Sequence, residues 1–194
     1  MGFGFHRGQR ELQDRFDARR LADRIDQRLV KDALDPSDRA LIERVDMFFL
    51  ATADAEGRPS CSYKGGDPGF VHVLDARTLA FPVWDGNGMF VSTGNVVENP
   101  GVGLLFVDFP RGLRLRVEGE ATLEDGALRE AWPEAQLAVK VALRAVYPNC
   151  GRYVHRYQLE ERSRFVPRAG CETPEPGWKK ADWALDVVPA KPPR

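Results

Sequence analysis

The stretch LAFPVWDGNGMFVSTGNVVENPGVGLLFVDF, residues 79–109, decides how the rest of the chain is read. An apolar run ends at Phe81-Pro82 and gives way to Asp85-Gly86-Asn87-Gly88, residue types that favour tight turns. A segment dense in small hydroxyl and amide side chains follows, with Ser92, Thr93 and Asn95. Asn99-Pro100 stops that segment, and an apolar strand over residues 102–107 returns to the core. The unit reads as strand, glycine loop, short helix, strand. Free N–H groups at such a helix start, with hydroxyls beside them, suit an anion, commonly a phosphate. A glycine loop alone is a weak signal, so the flanking sequence has to carry the assignment.

The chain has 194 residues, the size of one domain, with 28 basic and 29 acidic residues and a formal net charge of -1. Near balance argues against a nucleic-acid binder that relies on counterion release. The cysteines, Cys61, Cys150 and Cys171, are widely spaced with no C-x-x-C pair, which fits a reducing compartment and no zinc site. Cys61 and Cys150 are expected as small apolar fillers. Residues 2–10 lack the apolar run of a signal peptide, and no stretch approaches the ~18 apolar residues of a membrane span. A soluble cytoplasmic protein without nucleic-acid or membrane partners is the expectation.

Outward from the opening stretch, the sequence predicts a long helix over residues 9–34. Leu21, Ile25, Leu29 and Ala33 keep i,i+4 spacing, the stripe of a helix that covers a neighbouring surface. Arg15, Arg19, Arg20, Arg24 and Arg28 are interleaved with acids and read as a solvated face. Asp35-Pro36-Ser37-Asp38 signals a second helix start. From Met47 the period changes to strand: residues 47–53, 58–64, 70–74 and 79–81, then 113–123 and 136–147. In residues 113–118, Leu113, Leu115 and Val117 alternate with Arg114, Arg116 and Glu118, so one face is buried and the other polar. Short helices are predicted over residues 126–132 and 153–161. Six or seven short strands with few helices is the pattern of a small antiparallel barrel.

The residues resemble the pyridoxamine 5'-phosphate oxidase-like flavin-binding split barrels. The likeness rests on Met47-Phe48-Phe49-Leu50-Ala51-Thr52-Ala53, Gly57-x-Pro59, Ser62-Tyr63-Lys64-Gly65-Gly66-x-Pro68-Gly69-Phe70-Val71 and Asp85-Gly86-Asn87-Gly88-Met89-Phe90. It continues through Asn99-Pro100-x-Val102-Gly103, Arg114-Leu115-Arg116-Val117-x-Gly119 and Pro148-Asn149-Cys150-x-Arg152-Tyr153, covering roughly residues 40–180. Trp178-Lys179 matches the C-terminal part of an uncharacterised branch. The resemblance implies a mainly β fold with peripheral helices, a six-stranded antiparallel split β-barrel. It also implies a homodimer with one FMN at each of two sites between subunits. The expected organisation is an N-terminal helical segment (1–46) packing on the barrel, the flavin-binding barrel (47–166) and an extended arm (167–194). That arm is expected to be anchored by Trp178 and Trp183.

For the cofactor, the resemblance points to Ser62, Tyr63, Lys64, Gly65, Asn87, Gly88, Met89, Ser92, Asn95 and Arg114. The phosphate charge is then to be met by Lys64 or by an arginine of the partner chain, because Met89-Phe90-Val91-Ser92 stands where better-known oxidases carry an Arg-Lys clamp. Arg114 would reach the flavin from the other subunit, and Arg152, Tyr153, Trp178 and Lys179 would close the substrate pocket. His72 reads as a satisfied barrel histidine, and no metal site or catalytic residue is singled out. The implied function is a flavin-dependent oxidoreductase acting on a small molecule. Alternatives within the fold are a non-catalytic flavin- or haem-binding protein and a deazaflavin-dependent reductase. Pyridoxamine phosphate oxidation itself is not expected, because residues 172–176 are Glu-Thr-Pro-Glu-Pro where that enzyme's substrate-phosphate arginines belong.

Overall fold

Phe48 is fully buried, and its ring meets those of Phe70, Phe81 and Phe106 at centroid separations of 5.9, 4.9 and 5.1 Å. It lies on Met47–Ala53 (β1), where Phe48, Leu50 and Thr52 face inward on alternate positions. In the computed structural model, which describes residues 3–189, the other strands wrap around this ring. They are Pro59–Gly65 (β2), His72–Asp75 (β3), Thr78–Val83 (β4), Gly101–Asp108 (β5), Leu113–Glu124 (β6) and Leu137–Asn149 (β7). All pair antiparallel in the order β2-β1-β5-β6-β7-β4-β3. Phe48 and Phe81 touch although β1 and β4 stand at opposite ends of that order, so the sheet curls on itself. Its edges, β2 and β3, do not pair with each other, which leaves the barrel split. The count is seven strands, one more than the resemblance implied.

The predicted strands all form, with ends shifted by a few residues. The longest pair, β6 and β7, slips register between Glu118 and Gly119. Only glycine fits there, because a Cβ on Gly119 would stand 2.3 Å from the Ala142 carbonyl oxygen.

The N-terminal segment departs from expectation. The single helix over residues 9–34 is two, Arg7–Arg15 (α1) and Arg19–Leu29 (α2), separated where Asp17 takes a left-handed φ of 48°. Neither helix has a buried residue, so the stripe does not cover the barrel. The segment is tied down instead by the Phe3 ring edge-on to Tyr147 and by reciprocal backbone hydrogen bonds between Lys31 and Val146, 2.9 and 2.7 Å. Pro36–Arg44 (α3) starts as its sequence signals. Asp35 accepts from the Ser37 and Asp38 N–H groups, and Leu41 and Ile42 are buried against the core.

Beyond β7 the chain runs as an arm. The helix expected over residues 153–161 does not form. Tyr153, Tyr157 and Leu159 are exposed, and a short helix without a packed face is marginal in water. The arm is held by ion pairs rather than by tryptophans. Arg168 grips Asp67 with two bonds of 2.6 and 2.8 Å, and Lys179 pairs with Asp85. Trp178 and Trp183 stack on each other at 5.9 Å, and Trp183 is exposed. All three cysteines are exposed, so Cys61 and Cys150 fill no core. Among the described residues, no helix is long and apolar enough to cross a membrane.

Phe48→Ala is expected to cost about 3–5 kcal/mol in urea unfolding, the range for emptying an aromatic core position. A loss below about 1 kcal/mol would contradict the central place given to this ring.

Candidate functional site

The pairing of β1 with β2 sets Lys64 opposite Phe48 and Ser62 opposite Leu50. Directly paired residues share a sheet face, so both point toward the barrel interior. A barrel closed at this edge would need apolar side chains there. Serine and lysine stand there instead, and Ser62 Oγ lies 3.1 Å from Ser92 Oγ on the N-terminal turn of Val91–Glu98 (α4).

The glycine loop delivers that helix end. Gly88 has φ of 76° and the Asn87 side chain accepts from the Met89 N–H at 3.0 Å, a turn closed on itself. Phe90 then takes a left-handed φ of 49° and starts α4 with no side-chain cap. The first N–H groups of α4 therefore keep their hydrogen-bonding capacity, at the positive end of the helix dipole. Asn95 donates to Thr52 Oγ1 at 3.0 Å and so ties α4 to β1.

Lys64 lines a cleft of about 190 Å³ with Tyr63, Gly65, Phe70, Pro82, Val83 and Trp84. Burial pushes its ammonium below the usual lysine range, and among the described residues no carboxylate acts to restore it. The walls are fixed. Phe70 stacks on Trp84 at 6.3 Å, the Trp84 indole donates to the Pro133 carbonyl at 3.0 Å, and the Trp132 indole donates to the Phe70 carbonyl at 2.7 Å. Gly66 lets Phe70 in, since a Cβ there would stand 2.4 Å from its ring. Lys64 in its aromatic cleft, and the Ser62–Ser92 contact at the uncapped helix start two residues back along β2, each present donors of the kind that suit an anion.

The remaining expected residues fall into separate groups. Tyr63 points outward, edge-on to Phe49 at 6.2 Å, and Gly65 makes room for its ring. Lys179 is committed to Asp85 of the glycine loop, which brings the arm with Trp178 to the site's rim. Arg114 lies on the outer face of β6, because Leu115 beside it is buried inward. Its Nε and the Oδ1 of its cross-strand neighbour Asn149 are buried without a hydrogen-bond partner. Arg152 stands over the Tyr153 ring at 5.3 Å, three residues beyond Asn149. Within one chain, these outer-face groups are not brought into the Lys64 cleft. The sequence reading missed Phe70 and Trp84 as walls and Thr52 as the tie to Asn95. An aromatic directly after an apolar strand, and another after two glycines, was the available signal.

An open, curled antiparallel sheet with a lysine-bearing cleft at its split edge defines a split-barrel protein. The chain belongs to the pyridoxamine 5'-phosphate oxidase family, whose model matches residues 34–153. Two structures of HupZ from Group A Streptococcus superpose with TM-scores of 0.50 and 0.50, at 19% and 21% identity. They cover 64% and 59% of this chain and 99% and 98% of theirs. A Lactobacillus delbrueckii structure, provisionally named a pyridoxamine 5'-phosphate oxidase, gives 0.49 at 23% identity, over 60% of this chain and 95% of its own. At these identities the likeness speaks for the fold. No curated protein matches the sequence.

Two outcomes follow for the ligand-free protein. Lys64→Met is expected to raise Tm by about 2 °C or more, because an unpaired buried cation is replaced by an apolar chain of similar length; a clear drop would contradict the cleft's electrostatics. His72 stacks on Trp132 at 4.3 Å, and burial lowers its pKa below 6.5. Between that lowered value and 6.5 the unfolded chain binds the extra proton, so this contribution to stability falls as pH drops below about 6.5. His72→Phe should flatten Tm against pH between about pH 7.5 and 5.5, and an unchanged slope would assign the dependence elsewhere.

Proposed function

We propose that the chain binds FMN at the Lys64 cleft as a homodimer and acts as a flavin-dependent oxidoreductase on a small molecule. The observation that carries this reading is the Lys64 ammonium. It is half-buried between aromatic walls, faces no carboxylate, and stands on the same strand face as Ser62, which meets Ser92. Such a charge costs stability unless a ligand supplies the counter-charge. A phosphate supplies it, and membership of this family makes the phosphate of FMN the natural choice.

When bound, FMN supplies hydride-transfer chemistry, and the protein supplies binding, orientation and electrostatics. Lys64 neutralises the phosphate as a point charge. Ser62 and Ser92 donate hydroxyl hydrogen bonds, and the first N–H groups of α4 add charge-assisted ones. This set replaces the basic clamp that Met89-Phe90-Val91-Ser92 lacks. The Phe70 and Trp84 rings keep water from one side of the cleft. Arg114 acts from the partner subunit, where a guanidinium near the flavin pyrimidine edge stabilises negative charge on the ring. Its buried, unpartnered Nε is a donor ready for that role. The acidic, proline-rich residues 172–176 offer no second phosphate site, so the substrate is not a pyridoxamine phosphate. Haem has no comparable observation in its favour: His72 is stacked on Trp132, and His155 lies in exposed coil.

Titration with FMN, followed by flavin absorbance and fluorescence quenching, tests the reading. Wild type should bind with the visible flavin bands, and Lys64→Ala should weaken binding about 10- to 100-fold, the worth of hydrogen bonds to a charged group. Equal affinities would contradict the site. Light scattering should give a dimer with FMN bound, and a monomer that retains FMN would contradict the intersubunit arrangement.

A further inference from the structure

Helices α1 and α2 and the C-terminal arm lie outside the segment that the family model matches, and both regions expose apolar side chains. On α2, Leu21, Ile25 and Leu29 form one row, 63, 42 and 42% exposed. Arg20, Arg24 and Arg28 form the row beside it. The ion pairs within this helix pair are Arg10–Asp23 and Arg19–Asp14, which leave that arginine row out.

Residues 181–188 carry the complementary pattern. They wind as linked helical turns, with the Leu185 N–H bonded to the Ala181 carbonyl at 3.1 Å and the Val188 N–H to the Ala184 carbonyl at 3.0 Å. Trp183, Leu185 and Val187 are 72, 65 and 71% exposed, and Asp182 and Asp186 flank them four residues apart. Four residues along helical backbone rise about 6 Å, so the aspartate pair and the arginine row share a spacing.

We propose that the α2 face receives residues 181–188 of a second copy of this chain. Aliphatic side chains of α2 meet Trp183 and Val187, four residues apart on one side of these turns, while Asp182 and Asp186 in the adjacent row pair with the arginine row. The chain's own arm is led elsewhere. Arg168 holds it to Asp67 and Lys179 holds it to Asp85, whereas α2 is tethered to β7 through Lys31 and Val146. A two-fold axis makes the exchange reciprocal, so the contact occurs twice per dimer. The proposal does not rest on the flavin reading.

Mixed cross-linking tests it. With Cys61, Cys150 and Cys171 replaced by serine, a chain carrying Ile25→Cys is co-expressed with a differently sized chain carrying Val187→Cys, and the product is oxidised. A disulfide-linked species containing both chains is expected. Arg24→Glu should reduce its yield several-fold, and Asp186→Arg in the other chain should restore it. Absence of the mixed species overturns the proposal, as does a yield indifferent to Arg24→Glu. A disulfide that forms only when both cysteines sit in one chain, or monomers that bind anionic vesicles through α2, overturns it too. Retained FMN binding in these variants separates its failure from failure of the flavin site.

Discussion

The pairing of Lys64 with Phe48 across β1 and β2 is the constraint on which the rest depends. It places an ammonium on a sheet face where the neighbouring strands bury phenylalanine, leucine and valine. An inward-pointing charge is one way a protein prevents an edge strand from recruiting another chain. Here it does more, because the strand cannot close the barrel without burying that charge dry. The sheet stays split, the gap becomes a cleft, and the cleft carries one positive charge with no acid to answer it.

What surrounds the cleft follows from the same geometry. Phe70 enters because Gly66 leaves room, and two indole N–H groups hold the ring wall by donating to backbone carbonyls. The glycine loop turns through two left-handed residues to bring an uncapped helix start beside Ser62. The arm crosses the barrel to satisfy Asp67 and Asp85 with Arg168 and Lys179. Arg168 holds the Asp67 carboxyl below its ordinary range, so this anchor contributes stability above about pH 4 and loses it as pH falls through the lowered value. The basic side chains thus divide the work: Arg168 and Lys179 fasten the arm, and Lys64, with no ion pair among the described residues, is the cation assigned to the anion in the proposed function.

The β elements were legible because period-two alternation and turn residues are local signals. β1 was read to the residue, and β7 was read as strand against its helical propensity because its apolar positions alternate. The helix over residues 153–161 failed for want of anything to pack on. The break at Asp17 is a single left-handed residue inside a continuous helical pattern, which periodicity does not show. For the site, Lys64, Ser62, Ser92 and the loop were visible as residue types in order. Their convergence depended on the β1–β2 register. The walls were hidden, because Phe70 and Trp84 are ordinary hydrophobic residues until the curl of the sheet brings them together. Arg114 illustrates the remaining limit, since only the proposed dimer gives its outer face and unpartnered Nε a role.

The most direct test of the central claim compares FMN with riboflavin, which has the same ring and ribityl chain without the phosphate. Titrated into the wild-type protein under one salt condition, FMN should bind at least tenfold more tightly, and the preference should shrink as ionic strength rises. Equal affinity for the two flavins, at any salt concentration, would contradict a cleft built around the Lys64 charge.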